Sequence, residues 1–435
     1  MINHEKIRTQ NFKVKLPDEL LDLFIQNASE YFMALEKDLH KVSPIDSVDV
    51  ISALTNFREY FNSESEWERL TLQSLDVLRK GVQGAFFDKI AAITGMTHVA
   101  FAVHVLSEQA PKVRPFLQSI NDLLLSNVDD FLKKSNKKEF NMAGNYEIIK
   151  GLSGPLRYLI NFNDDERMKD MAERVINVFI KRSKDITILG QRVTGWYYYL
   201  TKSEKSFMHE ETFDRCVNYG VSHGMGSPLA TLAMAYKAGF RVDGLMEAIN
   251  GLVAEYMNAV CFVNYIAYWP GRIKLEQYIG SEEIPKIPNQ MSWCYGSAGI
   301  LRVMFLAGDL ICDKDIKHFT LEEFSKIAKM DLSEYKFNQP IVCHGHIGTA
   351  AILNAMYLDT GREEFLEKTI EMIGVSLRYN IERYFENEVR VAKERNISSR
   401  ASLHSHLEGY NGIIQTTLSI LKGQPGADEK RLLIV

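Results

Sequence analysis

Gly296-Ser-Ala-Gly299-Ile-Leu-Arg-Val-Met-Phe-Leu-Ala-Gly308 and Gly345-His-Ile-Gly348-Thr-Ala-Ala-Ile-Leu-Asn-Ala-Met-Tyr357 are two copies of one pattern. In each, a glycine pair at i and i+3 opens an apolar run long enough for a helix. A small-residue pair at that spacing lets the chain turn sharply into the helix and lets neighbouring helix ends come close. The same pattern recurs at Gly151–Gly154, at Gly224 followed by Ser227, and at Gly409–Gly412, with a degraded copy at Gly95 to His98. The first glycines are 56, 73, 72, 49 and 64 residues apart, and each interval can hold a helix pair. A chain of such pairs is expected to close into a ring of helical hairpins.

The remaining sequence agrees with a mostly helical fold. Pro17-Asp18 opens an amphipathic run, and Leu70 to Leu78, Phe116 to Leu132 and Phe365 to Ile381 repeat the three-to-four spacing. Two stretches break the habit. Ile186 to Tyr199 and Asn258 to Leu275 are rich in β-branched and aromatic residues and read as strands. They predict a small strand-containing insertion within 185–285 of an otherwise single domain spanning 1–435. The two longest glycine intervals flank it.

Composition excludes several classes. Of 435 residues, 46% are hydrophobic and 25% charged, which rules out a disordered or low-complexity chain. A net charge of −5 argues against a nucleic-acid binder. No apolar run reaches the roughly 18 residues of a membrane span, and the polar start MINHEKIRTQ is not a secretory signal. The five cysteines, 216, 261, 294, 312 and 343, form an odd set without close pairing. A reducing cytoplasm is the expected compartment, where cysteines serve as ligands, nucleophiles or core.

Two of them occupy one slot. Cys294 stands two residues before Gly296, and Cys343 two residues before Gly345; His344 and His223 each stand one residue before a motif glycine. Equivalent slots in a ring of repeats face one end of its centre, so four metal-competent residues converge. Two thiolates and an imidazole make the three-ligand inventory of a catalytic zinc site whose fourth position stays open, and soft sulfur favours zinc over magnesium or calcium. His346 is the rival imidazole. Cys216, Cys261 and Cys312 read as core or incidental, and His404 and His406, with Glu408 just before Gly409, as ordinary surface or loop residues, the alternative being that they line the same cavity.

Trp293-Cys294-Tyr295-Gly296, Cys343-His344-Gly345, Ser222-His223-Gly224 and the repeated glycine pairs together resemble the lanthionine synthetase C family, from about residue 95 to the C-terminus. The resemblance implies an α/α toroid, a double-layered helical barrel. It implies one Zn²⁺ held by Cys294, Cys343 and His344. It also implies a reaction, the Michael addition of precursor-peptide cysteine thiols to dehydroalanine or dehydrobutyrine, giving (methyl)lanthionine. A thiol is mostly protonated at neutral pH and only the thiolate attacks; the resulting enolate must then gain a proton. His223 is the candidate to deliver it, with Glu147 and Tyr295 as further catalytic candidates. The partners implied are a dehydrated precursor peptide with its leader, and a separate dehydratase and exporter, which would place a cytoplasmic protein at the inner face of the membrane.

Two positions depart from the family pattern. Glu147, in Tyr146-Glu147-Ile148-Ile149, stands where the family usually has an aspartate, and Gln290 where it often has an arginine. They motivate a second reading, a non-catalytic peptide-binding or scaffold subunit. A third is a related zinc–thiolate enzyme that adds glutathione.

Overall fold

In the computed structural model, which describes residues 1–135, 145–200, 215–396 and 402–434, the glycine pairs open helices as the pattern predicts. Helices Ser297–Leu310, His346–Thr360 and Tyr410–Lys422 begin directly after Gly296, Gly345 and Gly409. The second glycine of each pair has a steric cause. A Cβ on Gly348 would come within 1.8 Å of the Val342 carbonyl oxygen, and one on Gly299 within 2.1 Å of that of Trp293. The turn folds back over the first helical residues, and only glycine leaves room for it.

The helices are of two kinds. Pro44–Phe57, Met96–Gln109, Ser153–Leu159, Gly226–Lys237, Ser297–Leu310, His346–Thr360 and Tyr410–Lys422 are buried nearly all round. Asp18–Asp38, Glu64–Gln83, Arg114–Ser135, Glu166–Arg182, Leu245–Ala259, Lys314–Lys329, Glu363–Leu377 and Ile381–Glu394 carry one apolar face. All-round apolar helices belong inside and amphipathic ones cover them. The run expected from Phe365 to Ile381 is interrupted, because Asn380 caps a new helix by accepting the N–H of Arg383.

The chain divides into two compact units. One comprises Met1–Phe87, His98–Ser119 and Ala328–Val435. In it His346–Thr360 packs on Glu363–Leu377 and on Tyr410–Lys422, which in turn lies against Pro44–Phe57. The other comprises Asp88–Thr97 and Ile120–Ile327. There Ser153–Leu159, Gly226–Lys237 and Ser297–Leu310 lie side by side, and Glu166–Arg182 and Leu245–Ala259 cover the first two.

The described strands all fall within the second unit. Strands β1 (Ile186–Ile188) and β2 (Gln191–Val193) form one hairpin, β5 (Cys261–Val263) and β6 (Ile266–Tyr268) another. Both turn through two consecutive positive-φ residues, Leu189-Gly190 and Asn264-Tyr265, the geometry that matches strand twist. A three-stranded antiparallel sheet orders β3 (Tyr198–Tyr199), β4 (Arg215–Asn218) and β7 (Arg272–Ile273). The two aromatic stretches are thus joined through β4, with the buried helix Gly226–Lys237 and the amphipathic Leu245–Ala259 following β4 in sequence. Residues 201–214 of the 185–285 region lie outside the described residues.

Candidate functional site

In the second unit, β4 and β7 deliver the chain to the turn that carries His223. The Tyr219 N–H donates to the Gly271 carbonyl at 3.1 Å. Both Val221 and Ser222 N–H groups then donate to the Cys294 carbonyl, at 2.8 and 3.2 Å. The turn before Ser297–Leu310 and the turn bearing His223 are therefore one hydrogen-bonded structure, and a Cβ added to Gly220 within it would come within 2.7 Å of the Tyr295 ring.

Glu147 meets His223 there. It is buried in the turn before Ser153–Leu159, where its carboxylate accepts the backbone N–H of Ile149 and of Lys150 at 2.7 and 2.8 Å. Oε2 lies 3.2 Å from His223 Nδ1. A carboxylate only accepts, so the proton between them sits on Nδ1 and leaves the lone pair on Nε2. The His223 side chain is 39% exposed against 1% for Glu147, so the imidazole is reachable while its orienting partner is not.

Tyr295 is anchored by two donors that spacing did not reveal. Asn218 Nδ2 on β4 and Arg272 Nη2 on β7 donate to its hydroxyl oxygen at 3.0 and 2.9 Å. Burial pushes the Tyr295 hydroxyl up to about 12, against the opposing pull of Arg272, so it stays protonated at neutral pH. Arg272 also places a guanidinium 5.4 Å from the ring centre, a cation in the neighbourhood that Gln290 leaves uncharged.

In the first unit, Cys343 and His344 occupy the turn before His346–Thr360. The Cys343 N–H donates to the Leu407 carbonyl at 3.0 Å, and His344 Nε2 lies 2.7 Å from Gln339 Oε1. His346, the rival imidazole, is a core residue: it is buried, its Nδ1 contacts the Gln339 carbonyl at 3.2 Å, and its ring meets Phe337 edge-on. Burial lowers its pKa.

His404 and His406 are not ordinary loop residues, since both are buried. His404 faces the Tyr31 hydroxyl at 3.4 Å. His406 joins a charged cluster in which Asp49 contacts His98 at 2.8 Å and Arg431 contacts Asp428 at 2.6 Å. Asp49, His98 and Asp428 could by geometry hold a metal ion, but the Arg431 guanidinium already supplies the cation. Cys216 is core, as expected, and Cys312 is exposed.

The family described as Lanthionine synthetase C-like protein matches residues 51–430. The chain belongs to that family. Nisin biosynthesis protein NisC of Lactococcus lactis subsp. lactis is 24% identical over 289 residues, 62% of this chain and 65% of that protein. The chain thus aligns with just under two thirds of this relative's length. Among solved structures, one titled nisin cyclase superposes with a TM-score of 0.76 at 17% identity, covering 96% of this chain and 98% of that one. This likeness shows the fold, the α/α toroid that the resemblance implies. No described helix is long and apolar enough to cross a membrane.

Proposed function

We propose that this lanthionine synthetase C-like protein is a zinc-dependent cyclase that closes thioether rings in a dehydrated precursor peptide. The observation that carries the reading is the Glu147–His223 pair, hydrogen-bonded through its turn to the backbone at Cys294. It sets a reachable, oriented imidazole beside a cysteine in a metal-ligand slot. Family membership and the likeness to nisin cyclase support the same conclusion.

Cys294, Cys343 and His344 are the proposed zinc ligands. Two sulfurs with one nitrogen suit zinc. When bound, the metal would take up the substrate sulfur and lower its pKa, making thiolate available at neutral pH.

His223 moves the proton. With Nδ1–H directed at Glu147, Nε2 is free to take the proton of the substrate thiol. The sulfur pair then forms the C–S bond at Cβ of the dehydro residue, while the double-bond pair moves toward the carbonyl as an enolate. Nε2–H returns its proton to Cα, so the net change is addition of S–H across the double bond with no other reactant. Buried Glu147 holds the ring and offsets its transient charge. Tyr295, kept neutral and anchored by Asn218 and Arg272, can donate a hydrogen bond toward the developing enolate.

The proposed substrate is a dehydrated peptide carrying its leader, supplied by a separate dehydratase and passed to an exporter, with the protein working in the cytoplasm beside the membrane. The chain is taken as one working domain, with the strand-bearing part of 185–285 as its insertion.

The test is to incubate the protein and zinc with dehydrated precursor and count alkylatable thiols by mass spectrometry. The reading requires their loss without a change in peptide mass. Persistence of every thiol would refute it and favour the scaffold role that Gln290 suggests. Consumption of glutathione, but not of peptide thiols, would favour the glutathione-adding alternative.

A further inference from the structure

Behind His344 stands a pair of buried side chains with no part in the proton transfer. Gln339, five residues earlier in the same turn, is buried, and so is Glu388 on helix Ile381–Glu394. Gln339 Nε2 lies 2.8 and 2.7 Å from the two carboxylate oxygens of Glu388, and Gln339 Oε1 lies 2.7 Å from His344 Nε2. One partner of Gln339 is five residues away in sequence and the other 49.

The chemistry of these groups fixes every hydrogen. A carboxylate has only lone pairs, so the amide nitrogen must face Glu388. The amide oxygen then faces the imidazole, and because it too only accepts, His344 Nε2 must carry the proton. A neutral imidazole protonated at Nε2 has its lone pair on Nδ1. The main chain holds the turn from both sides: the Gln339 carbonyl accepts the His346 N–H, and the Cys343 N–H is tied to Leu407.

We propose that Gln339 and Glu388 are positioning residues that lock His344 in its Nε2–H tautomer and present Nδ1 as the ligating nitrogen. This rests on the reading of His344 as a zinc ligand. An imidazole whose far N–H points into a carboxylate-backed acceptor is a better oriented and more basic ligand, and loss of such a partner typically weakens metal binding 10–100-fold. Glutamine here relays the carboxylate, since Glu388 does not itself touch the ring.

The test uses the full chain with ¹⁵N-labelled histidine. Long-range proton–nitrogen spectra of the metal-free protein should show His344 as the Nε2–H tautomer, and added zinc chloride should shift Nδ1. Competition against a chromophoric chelator should give about 10–100-fold weaker zinc binding for Gln339→Ala and Glu388→Ala. Glu388→Gln keeps an acceptor oxygen for Gln339 and a near-identical volume, so it should fall between those variants and the wild type. A folding defect alone would not produce that order together with a changed tautomer. Wild-type affinity in both Glu388 variants, or an Nδ1–H tautomer in the metal-free wild type, would overturn the relay. Failure of the wild type to take up zinc would instead overturn the ligand assignment beneath it.

Discussion

Glu147 has three acceptor duties at once, to the N–H groups of Ile149 and Lys150 and to His223 Nδ1. The turn builds the carboxylate in before it meets the imidazole, so the pair is preorganised. If His223 shuttles the proton, His223→Asn should lower the rate of thiol consumption about 10²–10⁴-fold, leaving zinc content and circular dichroism unchanged. Equal rates for the variant and the wild type would remove His223 from the chemistry. The residues on which this depends were mostly legible in sequence, because Cys294, Cys343, His344 and His223 share slots in a repeat. Their supporting partners were not. Arg272, Gln339 and Glu388 carry no motif, and what marks them is a hydrogen bond made only after distant segments meet.

At the scale of the element, the glycine pair marked most of the buried helices, including the degraded copy at Gly95, which opens Met96–Gln109. It missed Pro44–Phe57, which is buried from Ser47 to Thr55. That helix starts on a Ser43 cap with proline at its first position, so its entry needs no glycine and shows no pattern. The strands were legible as composition, but their pairing was not, because β4 lies outside both aromatic stretches. Where the glycine is needed, the need is steric. Gly348→Ala should cost about 1–3 kcal/mol in urea unfolding, since its Cβ would collide with the Val342 carbonyl. An alanine variant as stable as the wild type would show that the turn yields freely.

At the scale of the whole molecule, a buried ionic cluster clasps the C-terminal helix Ala427–Arg431 to segments that lie far away in sequence. Asp49 comes from Pro44–Phe57, His98 from Met96–Gln109, and His406 from the turn before Tyr410–Lys422. Burial alone would raise the Asp49 carboxyl, yet His98, Arg431 and His406 pull it down to about 2. Because the folded value lies below the unfolded value of roughly 3.9, the resulting stabilisation is fully present above about pH 4 and is lost as pH falls toward 2. Thermal unfolding followed from pH 7 to pH 2.5 should show this acid loss, and Asp49→Asn should flatten it. At pH 7 the same variant should be destabilised by about 3–5 kcal/mol, as expected when one partner of a buried ionic group is removed. An unchanged acid profile in Asp49→Asn would deny the clasp its role. Little of this was readable beforehand, since no spacing links residue 49 to residue 428.

In the proposed function, Cys294 and Cys343, carried by separate helical repeats, act with His344 on a single zinc ion. Metal content of the purified chain tests it most directly, comparing wild type with Cys294→Ala by elemental mass spectrometry after gel filtration. One zinc per wild-type chain and none in the variant is the predicted result. Full zinc in Cys294→Ala, or a wild type that emerges free of metal from zinc-replete buffer, would contradict it.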